Sequence, residues 1–177
     1  HASPAFYAVQ YLRGRLSAQR RKVLHYVATP EVMEFVNSER ASELAPLGTT
    51  CPDHFLRTRV RPLFVPFAPE RESAADLLAR ALPLLDAYRD EYAAYYARCR
   101  RADSPAMRDP YPVVLLVPGV GLLTFQTNKA TARIAAEYYV NAINVMRGAE
   151  GVDTYVSLPE QEAFDIEYWT LEEAKLQ

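Results

Sequence analysis

Residues 113–169 read VVLLVPGVGLLTFQTNKATARIAAEYYVNAINVMRGAEGVDTYVSLPEQEAFDIEYW. The unbroken apolar run at 113–117 is typical of a β-strand that is covered on both faces. Gly119 and Gly121 then indicate a tight turn that needs positive φ, and residues 122–125 are the expected partner strand. This stretch therefore predicts a hairpin inside a sheet.

A long helix should follow the hairpin, capped by Thr127 or Asn128 and ended by Gly148. Its small side chains would permit close approach to the sheet, and larger side chains would anchor it. The small residues are Ala130, Ala132, Ala135, Ala136 and Ala142, and the anchors are Ile134, Tyr138, Ile143 and Met146. A layered sheet with flanking helices makes the chain α/β, with α+β as the alternative.

Shorter elements are expected upstream of the hairpin. Helical spacing covers residues 5–16, and residues 22–27 lean towards a strand. Thr29 and Pro30 begin a helix that should run to about Ser38 and bury Val32, Phe35 and Val36. Prolines then punctuate residues 52–66, which favours extended pieces at 55–57 and 63–65.

Residues 72–98 have the spacing of another long helix, in which Pro83 should produce a kink or a break. Its tyrosines, at 88, 92, 95 and 96, lie three and four residues apart. Such a stripe is most simply packing in the core or at a subunit interface, because a tyrosine has an apolar ring and a polar tip. A ligand-stacking role is the less favoured interpretation.

Composition limits the class of protein. With 177 residues, of which 50% are hydrophobic and 24% charged, the chain can bury one core and form one domain. A formal charge of −2 argues against a nucleic-acid partner, and no run of about 18 apolar residues exists to span a membrane. Cys51 and Cys99 make no metal or disulfide framework, so we expect a reducing, cytoplasmic setting.

No catalytic constellation is visible. Gly119 and Gly121 do not begin a dinucleotide fingerprint, since the third glycine position is Thr124 and a second strand precedes any helix. A catalytic metal normally takes three protein ligands, and only His25 and His54 are credible histidines. We therefore assign no catalytic residue, no metal ligand and no cofactor to this chain.

The octapeptide CPDHFLRT, residues 51–58, has the densest chemistry. Its polar side chains Asp53, His54, Arg57 and Thr58 are candidates for binding a phosphate or carboxylate. A structural network that links a loop to a strand is the favoured alternative.

Five blocks of the chain resemble a known family, over residues 20–177. They are HYVATPEVMEFVNSE, GTTCPDHFLRTRVRPLFV, VVLLVPGVGLLTF, TARIAAEYYVNAINVMRGAE and YVSLPEQEAFDIEYWTLEEAKLQ. Together they look like the central region of the bifunctional rhamnulose-1-phosphate aldolase/lactaldehyde dehydrogenases of bacterial rhamnose breakdown. The resemblance implies an N-terminal class II aldolase domain with a divalent metal and a C-terminal short-chain dehydrogenase domain with NAD. These two domains would be partners of this chain in what we expect to be a homo-oligomer.

The resemblance also implies boundaries for a fragment of a longer polypeptide. Residues 1–20 would be the tail end of the aldolase region, 21–150 the core, and 151–177 an acidic linker towards the dehydrogenase. We expect a further helix to begin with Thr170 as its cap.

Neither catalytic centre of that family can be placed here. The dehydrogenase's Tyr-x-x-x-Lys pair is absent from the segment EYYVN. The residue four positions after Tyr138 is Ala142, and the residue four positions after Tyr139 is Ile143, so neither tyrosine has the lysine. The strand, hairpin and helix at 113–139 also resemble the last such elements of class II aldolases, in which a His-Gly pair occupies the turn. Here Pro118 precedes Gly119, so the chain resembles a degenerate aldolase-like repeat that keeps the fold and loses the metal.

Three functional hypotheses follow. The leading one is a noncatalytic middle domain of an enzyme that cleaves rhamnulose-1-phosphate to dihydroxyacetone phosphate and L-lactaldehyde, and then oxidises the aldehyde. The second is a complete small aldolase-like enzyme that uses Asp53, His54 and Arg57 at a shared subunit site. The third is a free-standing interaction module that uses the tyrosine face.

Overall fold

The computed structural model describes residues 4–170. Its strands, β1 (Val23–Val27), β2 (Leu63–Phe64), β3 (Val114–Val117) and β4 (Gly121–Gln126), form one sheet in the order β1-β4-β3-β2. β4 is antiparallel to both of its neighbours, whereas β2 is parallel to β3. The helices are α1 (Pro4–Leu16), α2 (Pro30–Val36), α3 (Ala41–Leu44), α4 (Pro52–Thr58), α5 (Ala74–Cys99), α6 (Lys129–Glu150) and α7 (Glu160–Glu167), with a 3-10 turn (Ala45–Leu47) after α3.

Every residue of β3 is buried, because helices cover both faces of the sheet. Val114 and Leu116 enter one hydrophobic core with α2 and α6, and Leu115 and Val117 enter a second core with α1 and α5. Successive side chains of a strand point to opposite faces, so one short strand supplies both cores. The predicted α/β fold, a layered sheet with flanking helices, is confirmed.

A tight turn joins β3 to β4. The amide of Val120 donates to the carbonyl of Val117 over 3.0 Å. Gly119 has φ of +69° and Gly121 has φ of +129°, and a Cβ on Gly119 would overlap the ring of Pro69. The turn interpretation of the two glycines is confirmed.

Two sequence predictions about helix positions were wrong. The expected strand at 55–57 is the middle of α4, because Pro52 stands in the first turn of a helix, where its missing N–H and fixed φ are tolerated. Gly148 does not end α6, which continues to Glu150. A Cβ on Gly148 would have open space around it, so this glycine is simply tolerated within the helix.

The long helix expected at 72–98 is α5, which begins with a capping box between Ser73 and Asp76. Pro83 lies inside α5 and does not break it, so of the two expected effects of this proline the break is wrong. Asn128, rather than Thr127, caps α6, because its side-chain oxygen accepts from the Thr131 amide over 2.9 Å. None of the helices in the described part of the chain has an apolar stretch of the length that a bilayer crossing needs.

The acidic segment that follows α6 packs onto the body of the domain. The buried Tyr155 hydroxyl donates to the Gly48 carbonyl over 2.8 Å, and α7 packs against α4 and α5. Two acidic side chains of α7 pair with arginines at the end of α5, Glu160 with Arg98 and Asp165 with Arg101. The helix expected after Thr170 lies outside the described residues, and the role of residues 151–177 as a linker stays a prediction.

We predict that Gly119→Ala will lower the free energy of unfolding by about 1–3 kcal/mol, because alanine is strained at positive φ and its Cβ meets Pro69. Gly148→Ala is the matched control and should raise it by about 1 kcal/mol, since it places alanine within a helix in open space. Urea unfolding measures both changes. Equal effects of the two substitutions would contradict the structural role of the turn.

Candidate functional site

His54 is held in the interior by neighbours on both sides. Its ring stacks on Tyr138, with centroids 4.9 Å apart and planes inclined by 21°. The Thr49 hydroxyl lies 3.1 Å from Nδ1 of the imidazole. Burial lowers the pKa of His54 below its usual value, and the nearby Asp53 carboxylate opposes that shift. These contacts use the imidazole for packing and for one local hydrogen bond.

The remaining members of the predicted anion site do not share one surface with His54. Asp53 is exposed and Arg57 is half-buried on α4. Thr58 is fully buried, and its hydroxyl lies 3.0 Å from the His54 carbonyl and 2.8 Å from that of Arg59. The hydrogen bonds of Thr58 lie within α4 and its next residue, Arg59, and the network that links a loop to a strand also stays a prediction. Binding of a phosphate or carboxylate by these four residues stays a prediction.

The described residues do not gather the donor atoms that a metal-dependent aldolase needs. Within residues 4–170, no three His, Cys, Asp or Glu side chains stand close enough together to hold a metal ion. Pro118 and Gly119 form the hairpin turn and carry no ligating side-chain atom. The turn amide of Gly119 is already bonded, donating to Oδ1 of Asn37 over 2.7 Å.

Sequence reasoning missed a buried charged network that joins α4, α5 and α7. Arg59 follows α4 with φ of +65°, and its guanidinium donates to the Asp109 carbonyl over 2.9 Å. The same guanidinium lies 3.7 Å from a carboxylate oxygen of Glu167 and 5.4 Å from the centre of the Tyr92 ring. Arg59 is therefore fixed by a backbone acceptor, an acid and an aromatic face.

Glu167 is the acid of this network and has no exposed side-chain surface. Tyr92 donates to one carboxylate oxygen over 2.8 Å, and Tyr95 donates to the other over 3.2 Å. The Tyr168 hydroxyl lies 2.7 Å from that of Tyr92 and extends the network. Burial raises the pKa of Glu167 above its ordinary value, and Arg59 and the two phenols oppose that shift.

The network explains part of the tyrosine stripe. Tyr92 and Tyr95 are buried within this chain, which confirms the packing interpretation for these two residues. Phe164 of α7 stacks on Tyr168 at 4.5 Å and meets Tyr95 edge to face at 5.5 Å. Aromatic contacts and the hydrogen bonds of Tyr92 and Tyr95 to Glu167 thus hold α7 on α5, and the ion pair with Arg59 holds it on the end of α4.

Two concave regions lie beside the edge strand β2. The first has a volume of about 800 Å³ and lies between α5, residues 59–66 and residues 157–163. The second, about 1070 Å³, is a more open depression beside the hairpin turn that includes Glu72 and Arg80. Hydrogen bonds from the Arg80 side chain and from the Ala68 amide lower the pKa of Glu72 to about 2.

Removal of the buried acid tests the network. We predict that Glu167→Ala will lower the free energy of unfolding by about 3–5 kcal/mol, because it leaves the Arg59 charge buried without its acid. Glu162→Ala, an exposed acid on the same helix, is the control and should change it by less than about 0.5 kcal/mol. Both values come from urea denaturation. A Glu167→Ala effect as small as the control would mean that the network does not hold α7.

Comparison with known proteins identifies the family. The chain is 34% identical over 165 residues to the uncharacterized oxidoreductase YuxG of Bacillus subtilis (strain 168). That match covers 93% of this chain and 24% of YuxG, so the chain spans about a quarter of the relative's length. Residues 4–176 match the family model described as aldolase class II, second domain. The chain therefore belongs to the aldolase class II, second domain family.

Proposed function

We propose that this chain is a noncatalytic middle domain of a bifunctional enzyme. The whole enzyme would cleave rhamnulose-1-phosphate to dihydroxyacetone phosphate and L-lactaldehyde, and then oxidise the lactaldehyde with NAD. Membership of an aldolase class II family supports the aldolase half, and the printed name of YuxG as an oxidoreductase supports the other half. The resemblance of residues 20–177 to rhamnose-breakdown enzymes supports the choice of substrate.

The hairpin turn carries the noncatalytic part of this proposal. A class II aldolase would place a His-Gly pair there, whereas this chain has Pro118 and Gly119. The surrounding groups use the turn for packing: Asn37 accepts from the Gly119 amide, and Pro69 covers the glycine. The turn therefore closes the hairpin and has no side chain with which to bind a metal.

The domain would act as a scaffold between its two catalytic neighbours. In this proposal the divalent metal belongs to the aldolase domain and NAD to the dehydrogenase domain, and both domains are partners of this chain. We further propose a homo-oligomer and a cytoplasmic location, where free thiols such as Cys51 and Cys99 remain reduced.

Activity of the full-length protein and of this chain alone tests the proposal. The full-length enzyme should release dihydroxyacetone phosphate from rhamnulose-1-phosphate and form NADH with lactaldehyde. This chain alone should do neither, with or without added Zn²⁺. In the full-length enzyme, the double substitution Asp53→Asn/Arg57→Gln should leave both kcat values within about twofold, because neither side chain would touch a substrate.

The same assays distinguish the second hypothesis, a complete small aldolase. Aldol cleavage by this chain alone, lost in Asp53→Asn/Arg57→Gln, would contradict the scaffold role. His54→Gln in the full-length enzyme is an independent check. Loss of aldol cleavage in this variant, while urea unfolding shows that the fold is retained, would also contradict the scaffold role. Absence of both activities from the full-length protein would refute the assigned reactions.

A further inference from the structure

We propose that β1 is the interface at which two copies of this chain pair antiparallel, edge to edge, so that one sheet continues through both copies. Tyr26 would lie on the two-fold axis, opposite Tyr26 of the second copy. This inference rests on the homo-oligomer of the proposed function and gives that oligomer an interface. It does not depend on either of the proposed reactions, whose assays are separate.

The two edges of the sheet are protected to different degrees. At one edge β2 has only two residues, and Pro62 and Pro66 near its ends have no N–H to donate. At the other edge β1 has five residues, VLHYV, without a proline, a lysine or a bulge. Natural proteins usually block an exposed edge with such devices, because its unpaired N–H and C=O groups can bind another strand. β1 is therefore an edge to which a partner strand can be added.

The unpaired backbone groups of this edge belong to Leu24, Tyr26 and Ala28. The Val27 carbonyl faces β4, since its oxygen would be the nearest atom to a Cβ on Gly121 of that strand. The backbone groups of an antiparallel strand alternate between its two sides, so those of the three even-numbered residues face away from β4. None of them has a hydrogen-bond partner among residues 4–170.

This stretch of free groups is closed at both ends. Two residues before Leu24, the Lys22 amide donates to Oγ of Ser17 over 3.0 Å. Two residues after Ala28, Pro30 has no N–H to donate and begins α2. A partner strand can therefore bond only along residues 24–28, whose centre is Tyr26.

An identical segment that runs antiparallel matches this stretch. Pairing about Tyr26 places Tyr26 opposite itself and Leu24 opposite Ala28, so that the free N–H groups of one copy meet the free C=O groups of the other. Lys22 then lies opposite Pro30, where neither residue has an N–H to offer. A flexible peptide would lose conformational entropy at each residue that it orders, whereas a second copy presents a preformed strand. The second copy is therefore the favoured occupant.

The side chains beside the edge also fit a second copy. Tyr26 is 53% exposed, and its hydroxyl holds the ring in place by donating to the Val120 carbonyl over 2.9 Å. Aromatic pairs across neighbouring strands stabilise a sheet. Arg21 is exposed, Glu31 is half-buried, and neither forms an ion pair with a residue between 4 and 170. In this register Arg21 of each copy approaches Glu31 of the other, so opposite charges meet at both ends of the interface.

Disulfide trapping in the full-length protein tests the pairing. Directly opposed residues of an antiparallel pair have Cα atoms about 4.5–5.5 Å apart, within the range that a disulfide bridges. Tyr26→Cys should therefore form a disulfide between the two substituted positions under mild oxidation, and mass spectrometry locates it. Tyr11→Cys is the matched control and should not cross-link, because Tyr11 is 54% exposed but lies on α1. A neighbouring domain or a foreign strand on β1 would give no link at position 26. That result, or equal linking in the two variants, would overturn the proposal.

Charge substitutions at the self-opposed position test the symmetry, with sedimentation velocity of this chain as the measurement. Tyr26→Lys and Tyr26→Glu should each weaken self-association by about fivefold or more, since like charges would face each other. An equimolar mixture of the two variants should restore association, because opposite charges then face each other. Urea unfolding shows that both variants remain folded. A monomeric unsubstituted chain, or a mixture that associates no better than the single variants, would overturn the proposal.

Discussion

The structure depends on the burial of β3 on both of its faces. Four consecutive residues, Val114–Val117, alternate between a core formed with α2 and α6 and a core formed with α1 and α5. Each fully buried Val or Leu side chain contributes about 1.5–3 kcal/mol through removal of its apolar surface from water. β4 continues the same alternation, with Leu122 in the first core and Leu123 and Phe125 in the second, so the two central strands together hold the helical layers on the sheet.

The hairpin that leaves β3 follows from this packing constraint. β4 must return antiparallel beside β3, which requires a short turn with backbone conformations that glycine adopts readily. Gly119 and Gly121 supply them, and Pro69 and Asn37 close over the turn. A catalytic class II aldolase would use the same position for a metal ligand. In this chain the position is occupied by Pro118 and Gly119, whose contacts with Asn37 and Pro69 serve the fold.

The sequence predicted the elements whose pattern is local. An unbroken apolar run identified β3, and the glycines after it identified the turn. The error at α4 arose because proline is unfavourable both within a sheet and in a helix interior, whereas Pro52 stands in the first turn of α4, where it is tolerated. The buried network was not predictable in the same way. Glu167 lies 75 residues from Tyr92, and in an acidic stretch it has the same local pattern as its solvated neighbours.

The hairpin turn is where the account can be tested most directly, because its central claim is that this turn is structural and binds no metal. Amide NMR spectra recorded during a titration of the chain with Zn²⁺ provide that measurement. The account predicts no saturable shift of the Gly119, Val120 and Gly121 resonances at stoichiometric metal. A saturable shift of those three amides, with the rest of the sheet unperturbed, would contradict it.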